Sequence, residues 1–251
     1  MNSLLLLFLS LSMLLLPSLL RPRGPSGRST KPEIHGFLSF SWWVNAAYCG
    51  FWHRLESNEI APLPEQGPAI LIANHTCGID HMLLQAKSRR VLGFMIAQEY
   101  YDFWPCHLFC KLIGCIPVKR DGRDLSATRA ALRALEQGRV LPIFPEGKIL
   151  PTSGEQIGEI KSGAAFLAVH SKAPVIPAYI RGTPRTNLIG QSLYTPSHAR
   201  ILFGPPVDFS DLDFEALGDK KAILAVTERM REVLHQLQAE SAKTPTDEEA
   251  A

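Results

Sequence analysis

The stretch NHTCGID, residues 74 to 80, sets a histidine and an aspartate five positions apart across a glycine. In an unbroken strand His75 and Asp80 would face opposite sides, and in an unbroken helix they would lie about 140° apart. A turn brings them together, and Gly78 can supply one. Asp80 then opens the helix that continues through HMLLQA. A carboxylate bonded to one imidazole nitrogen fixes the tautomer and leaves the other nitrogen to take a proton. That pair is a general base that needs no serine nucleophile. The same spacing also arises from a hydrogen-bonded structural histidine beside an aspartate that caps a helix.

Three further stretches bear on that choice. GCIPVKR, residues 114 to 120, ends an apolar run with Lys119 and Arg120. Arginine suits bidentate phosphate contacts, although a solvated strand end would read the same way. FPEGK, residues 144 to 148, follows another apolar run with Glu146, Gly147 and Lys148. It reads either as a site with close backbone approach or as a simple turn. VIPAYI, residues 175 to 180, reads as an apolar wall. His75, Arg120 and Glu146 each follow the carboxyl end of a predicted strand, where open parallel sheets bind their ligands. A polar, phosphate-tolerant cleft is the expectation.

Those strands are predicted at 69–73, 91–97, 115–118, 140–144, 175–180 and 199–203. Between the third and fourth, DLSATRAALRALEQG puts Ala127, Ala131, Leu132 and Leu135 on one helical face, with Asp124 or Ser126 as N-cap and Gly138 as stop. A helix after Gly163 separates the next two strands, and AILAVTERMREVLHQL forms a closing amphipathic helix. Alternating strands and helices predict an α/β fold: a mostly parallel sheet flanked by helices, with an N-terminal membrane-associated helical segment.

The chain has 251 residues, 46% hydrophobic and 20% charged, with a net charge of +2. This suits one domain with a sizeable core, and it offers no basic stripe for nucleic acid. Residues 1–20 are leucine-rich, with Arg21, Arg23, Arg28 and Lys31 following the run and none preceding it. That asymmetry favours a transmembrane anchor with its carboxyl side in the cytoplasm over a cleaved signal peptide. A Pro/Gly/Ser linker covers 21–32. An interfacial helix is expected within 33–60, where Trp42, Trp43, Tyr48 and Trp52 favour a membrane surface over a buried core. The α/β domain is placed at 61–240, and a flexible acidic tail at 241–251. The five cysteines lack a CxxC pair and read as reduced thiols rather than a zinc site.

NHTCGID, GCIPVKR, FPEGK and VIPAYI, in this order and at these separations, resemble the four motif blocks of the glycerolipid acyltransferases, the 1-acylglycerol-3-phosphate acyltransferase (PlsC-like) group. IKSGAAFLA, residues 160 to 168, is similar to the segment that follows the third block. The resemblance covers roughly residues 65 to 205. It implies transfer of an acyl chain from acyl-CoA or acyl-carrier protein to a hydroxyl of a glycerol-phosphate lysolipid, at a membrane and without a cofactor or metal. It also implies His75 as base, Asp80 as its orienting group, Arg120 with Lys119 as phosphate ligands, and Glu146, Gly147 and Lys148 around the acceptor. Two departures stand out: Cys77 where the family commonly has serine, and Lys148-Ile149 where the third block usually reads Thr-Arg. A membrane-bound lipid-binding protein of the same fold, impaired in catalysis, is the alternative. The chain has no G-x-S-x-G for an α/β-hydrolase and no P-loop. His75, Asp80 and His81 could serve a metal hydrolase only with further ligands.

Overall fold

The computed structural model describes residues 34, 36–119, 124–150, 152–186 and 188–243. The anchor expected at 1–20, the linker at 21–32, Arg120 and the tail beyond 243 lie outside them. In chain order the elements are α1 (Phe37–Trp52), β1 (Glu56–Ser57), β2 (Ala69–Ala73), α2 (Asp80–Ala86), β3 (Met95–Ala97), α3 (Gln98–Tyr101), α4 (Trp104–Ile113) and β4 (Ile116–Val118). They continue with α5 (Leu125–Glu136), β5 (Val140–Ile143), α6 (Gly163–Ser171), β6 (Val175–Arg181), α7 (Ile189–Tyr194), β7 (Arg200–Phe203) and α8 (Phe214–Ala242), which breaks at Gly218.

Five strands form one sheet in the order β1-β7-β6-β2-β5. β2 lies inside it, parallel to both β5 and β6, and only the β6–β7 pair is antiparallel. AILIA suits that place because an inner parallel strand is covered on both faces and needs apolar side chains throughout. All five of its residues are fully buried. Ile70 and Ile72 point into one core, with Leu135, Ala165, Met230 and Leu234 from α5, α6 and α8. Leu71 points into the other, with Leu83, Leu84, Ile180 and Ile201. Each fully buried Ile or Leu contributes about 1.5–3 kcal/mol. The fold class is α/β with a mostly parallel sheet, as the sequence predicts.

β3 and β4 pair in parallel as a separate ribbon. A parallel bridge from Leu92 to Val140 sets that ribbon alongside β5 and in the same direction. The strand predicted over 91–97 is therefore mostly a connection, with regular pairing only at its end. Helices α3 and α4 form the crossover between β3 and β4, where the sequence predicts no helix. Asp124 caps α5, its side chain accepting from the Ser126 and Ala127 backbone N–H groups.

The segment expected to be interfacial contains one helix, α1, packed on α2. The Trp42 indole donates to the Gln85 and Ser88 carbonyls, each at 3.0 Å, and the Asn45 amide donates to the Met82 carbonyl at 2.9 Å. The opposite side of α1 leaves Phe40, Trp43 and Phe51 exposed, and Trp52 at its end is partly exposed. No described helix is long and apolar enough to cross a membrane.

Candidate active site

His75 lies just beyond the carboxyl end of β2, and Glu146 just beyond that of β5, its hydrogen-bonded neighbour. The turn over residues 74–79 folds Asp80 back under the imidazole. His75 Nδ1 donates to Asp80 Oδ2 at 2.8 Å. Among the described residues no hydrogen-bond partner reaches Nε2. The His75 side chain keeps 21% of its surface exposed, while Asp80 has none. The imidazole stacks on Phe144 at 4.2 Å between ring centroids, nearly parallel.

Asp80 is crowded with donors. Oδ2 also accepts from the Thr76 backbone N–H at 2.5 Å and the Cys77 backbone N–H at 3.0 Å. Oδ1 accepts from Thr76 Oγ1 at 2.5 Å and Cys77 Sγ at 3.4 Å. Thr183 Oγ1 donates in turn to Thr76 Oγ1 at 2.8 Å, tying the loop after β6 to the turn. Asn74 ties the turn to β6 itself: its side chain exchanges two hydrogen bonds with the Ile180 backbone, at 2.7 and 2.8 Å. The carboxylate is thus fixed by the turn it closes, and it fixes His75 in turn.

Gly78 is a glycine for a reason other than the turn itself. It does not adopt a left-handed backbone. A Cβ there would stand 2.7 Å from both Cα and Cγ1 of Ile189, so the start of α7 rests directly on the turn. Gly147 does need its freedom, at φ +72°, and a Cβ there would come within 2.8 Å of Lys161 Nζ.

Glu146 is 3% exposed and holds two loops together. Oε1 accepts from the His75 backbone N–H at 2.8 Å, and Oε2 from the Gly158 backbone N–H at 2.9 Å. Burial raises its carboxyl pKa, and the two backbone N–H groups oppose that shift. Each oxygen thus accepts one backbone N–H inside the protein, a bracing contact that the sequence does not announce.

His75, Asp80 and Glu146 therefore form one hydrogen-bonded cluster with Gly147 beside it. Lys119 follows β4, its backbone N–H bonded to Asp124 at 2.9 Å, and both Lys119 and Lys148 are exposed. Thr183, Gly158 and Lys161 join the cluster without having been singled out by the sequence. Lys161 sits in IKSG, two residues before α6, and only that motif match could have drawn attention to it. His81 turns away to meet Phe94 edge-on at 5.8 Å, and burial lowers its pKa to about 4. Among the described residues no group of His, Cys, Asp and Glu side chains could hold a metal ion. The Cys77 thiol bonds Asp80 rather than His75, and burial with the nearby carboxylate pushes it up to about 12. A thiol in that state is not an activated nucleophile.

The mostly parallel α/β sheet carries a His–Asp pair at the carboxyl end of an inner strand, and among the described residues no ionised thiol stands beside it, an arrangement suited to general-base chemistry. The acyltransferase family profile matches residues 54–181, just over half of the chain, and the chain belongs to that family. It is 28% identical over 177 residues to a 1-acyl-sn-glycerol-3-phosphate acyltransferase of Bacillus subtilis, covering 70% of this chain and 84% of that one. It is 32% identical over 133 residues to a probable 1-acyl-sn-glycerol-3-phosphate acyltransferase of Mycoplasma pneumoniae, 48% of each chain. The fold also matches the crystal structure of the 1-acyl-sn-glycerophosphate (LPA) acyltransferase PlsC from Thermotoga maritima, with a TM-score of 0.61 and 20% identity over 81% of both chains.

Proposed function

We propose that the chain is a 1-acylglycerol-3-phosphate O-acyltransferase of phospholipid biosynthesis, using acyl-CoA or acyl-carrier protein as donor. The observation that carries this reading is the imidazole held through Nδ1 by a buried aspartate, with Nε2 unbonded, in a member of the acyltransferase family. In this reading Nε2 takes the proton of the acceptor hydroxyl as its oxygen attacks the thioester carbonyl carbon. The tetrahedral intermediate then expels the thiolate, which recovers the proton from the imidazolium. Ester and free thiol are the products, and no acyl group rests on the enzyme. General-base assistance of this kind is worth about 10²–10⁴-fold in rate.

Lys119 and Arg120 supply the phosphate-binding charge, with Lys148 and Lys161 adding point charges at the Glu146–Gly147 turn in place of the family's usual arginine. Glu146 acts as a brace on His75 rather than as an acceptor ligand. Residues 1–20 anchor the enzyme, α1 rests at the membrane interface, and the domain faces the cytoplasm.

Thiol release from an acyl-CoA by the detergent-solubilised full chain, run across a panel of lysophospholipids, tests the reading. Release that requires lysophosphatidic acid and exceeds that with any other lysolipid is expected. Equal release without acceptor, or a clear preference for a lysolipid lacking the phosphate monoester, would overturn it. Acyl-carrier protein is tried as donor in parallel.

A further inference from the structure

The crossover between β3 and β4 inverts the usual order of inside and outside. Within Phe103 to Leu112, five large apolar side chains are solvent-exposed: Phe103, Trp104, Leu108, Phe109 and Leu112. Trp104 is 76% exposed and Phe103 54%. Positions 104, 108 and 112, with 109 beside them, fall on one side of α4, so its apolar stripe points away from the core. A contiguous exposed apolar stripe of this kind marks an interaction surface.

The strand directions place it. β3 runs parallel to β4 and, through the Leu92–Val140 bridge, parallel to β5. Ala97 therefore ends at the same edge of the sheet as Ile143, where Glu146 and His75 lie. α3 begins at the next residue, so Phe103 and Trp104 stand at the active-site end of the molecule. α4 then descends to Gly114, whose carbonyl oxygen lies 2.9 Å from where a Cβ on Gly93 would be, at the start of the ribbon. An aromatic series joins the start of the ribbon to the site: Phe94, just before β3, stacks with Phe144, which stacks with His75.

We propose that the Phe103–Leu112 surface inserts into the lipid bilayer and sets the active-site end of the sheet against it. This rests on the reading that the acceptor is a lipid. Tryptophan and phenylalanine at the crown suit the boundary between headgroups and acyl chains. Lys111 and Lys119 flank the stripe, and neither has an ion-pair partner among the described residues, which suits anionic headgroups. The leucine-rich run at 1–20 precedes α1 in the chain: residues 21–33 fully extended span at most about 45 Å, so an anchor there would hold the domain within reach of the membrane. A bilayer, rather than the leucine-rich run itself, is the occupant because the stripe opens at the site that a lipid acceptor must reach.

The test compares the tryptophan emission of the full chain and of Trp104→Phe in phosphatidylglycerol-containing vesicles, with and without bromine on the acyl chains. Subtraction isolates Trp104 from Trp42, Trp43 and Trp52. The proposal expects brominated acyl chains to quench the Trp104 component strongly. A component insensitive to bromine overturns it, whether a second copy, residues 4–20 or water covers the indole. A second arm uses Phe103→Ser with Trp104→Ser. Turnover of a long-chain lysolipid presented in vesicles should fall about tenfold or more, as expected from losing two inserted aromatics. Turnover of a monomeric short-chain lysolipid should be unchanged. Equal loss on both substrates would contradict the proposal. The quenching arm needs no catalysis, so quenching without turnover would retain the docking surface and reject the acyltransferase reading, and turnover without quenching would do the reverse.

Discussion

Replacing Glu146 with glutamine separates a brace from a substrate ligand. The carboxylate accepts one backbone N–H on each oxygen, from His75 and from Gly158. Glutamine keeps one acceptor and turns an NH₂ group toward the other N–H. One backbone hydrogen bond is lost and a buried donor is left without a partner, which costs about 1–3 kcal/mol in stability. The backbone at His75 loses the contact that sets its position against Asp80. A displacement of about 1 Å at a catalytic base costs on the order of 10²-fold in rate. Glu146→Gln should therefore lower kcat by about that factor and leave KM for the lysolipid nearly unchanged. Steady-state kinetics with lysophosphatidic acid as the varied substrate, alongside chemical denaturation, measure both effects. A large rise in KM with kcat and stability intact would refute the reasoning and return Glu146 to the acceptor site.

Asp80→Asn places an amide among five donors and removes the group that fixes the His75 tautomer, so kcat should fall about 10²–10⁴-fold in the same assay. Gly78→Ala drives a methyl into Ile189 and should lower stability by about 1–3 kcal/mol in denaturant titration, with a protein that still folds. His81 has a folded pKa of about 4 against an ordinary 6.5, so the unfolded chain binds the extra proton first. Its contribution to stability is complete above about 6.5 and is lost as pH falls toward about 4. His81→Gln should flatten the dependence of the melting temperature on pH across that window. Cys77→Ser keeps a donor to Asp80 Oδ1 and should retain activity, and alkylating reagents should leave the native enzyme active at neutral pH because the buried thiol is not ionised.

The core of the site was legible because its signals are local. AILIA announces a fully buried inner strand, and the geometric conflict between His75 and Asp80 in any regular element forces a turn. Asp124 and Gly138 mark the ends of α5 with ordinary capping chemistry. What stayed hidden depends on distant contacts. Glu146 and the His75 backbone are 71 residues apart, and nothing local says that both carboxylate oxygens are taken up inside the protein. The Thr183–Thr76 bond spans 107 residues. Gly78 looks like a turn residue, and only the approach of α7 shows that it is a contact residue. Strand direction is also invisible in composition, so β7 reads as one more strand of a parallel set until it pairs antiparallel with β6. Residues 98–113 resisted reading because α4 is apolar apart from His107 and Lys111, so little polar face marks its period.

The central claim is that His75, oriented by Asp80, deprotonates the acceptor hydroxyl for direct attack on a thioester. The most direct measurement is mass-spectrometric detection of acylated product from lysophosphatidic acid and a labelled acyl thioester, for wild type and His75→Ala side by side, with intact-protein mass recorded during turnover. The account predicts labelled phosphatidic acid from the wild type, at least about 10²-fold less from His75→Ala, and no acyl adduct on the protein. Undiminished product from His75→Ala, or a labelled acyl-enzyme that forms and decays at the rate of turnover, would contradict it.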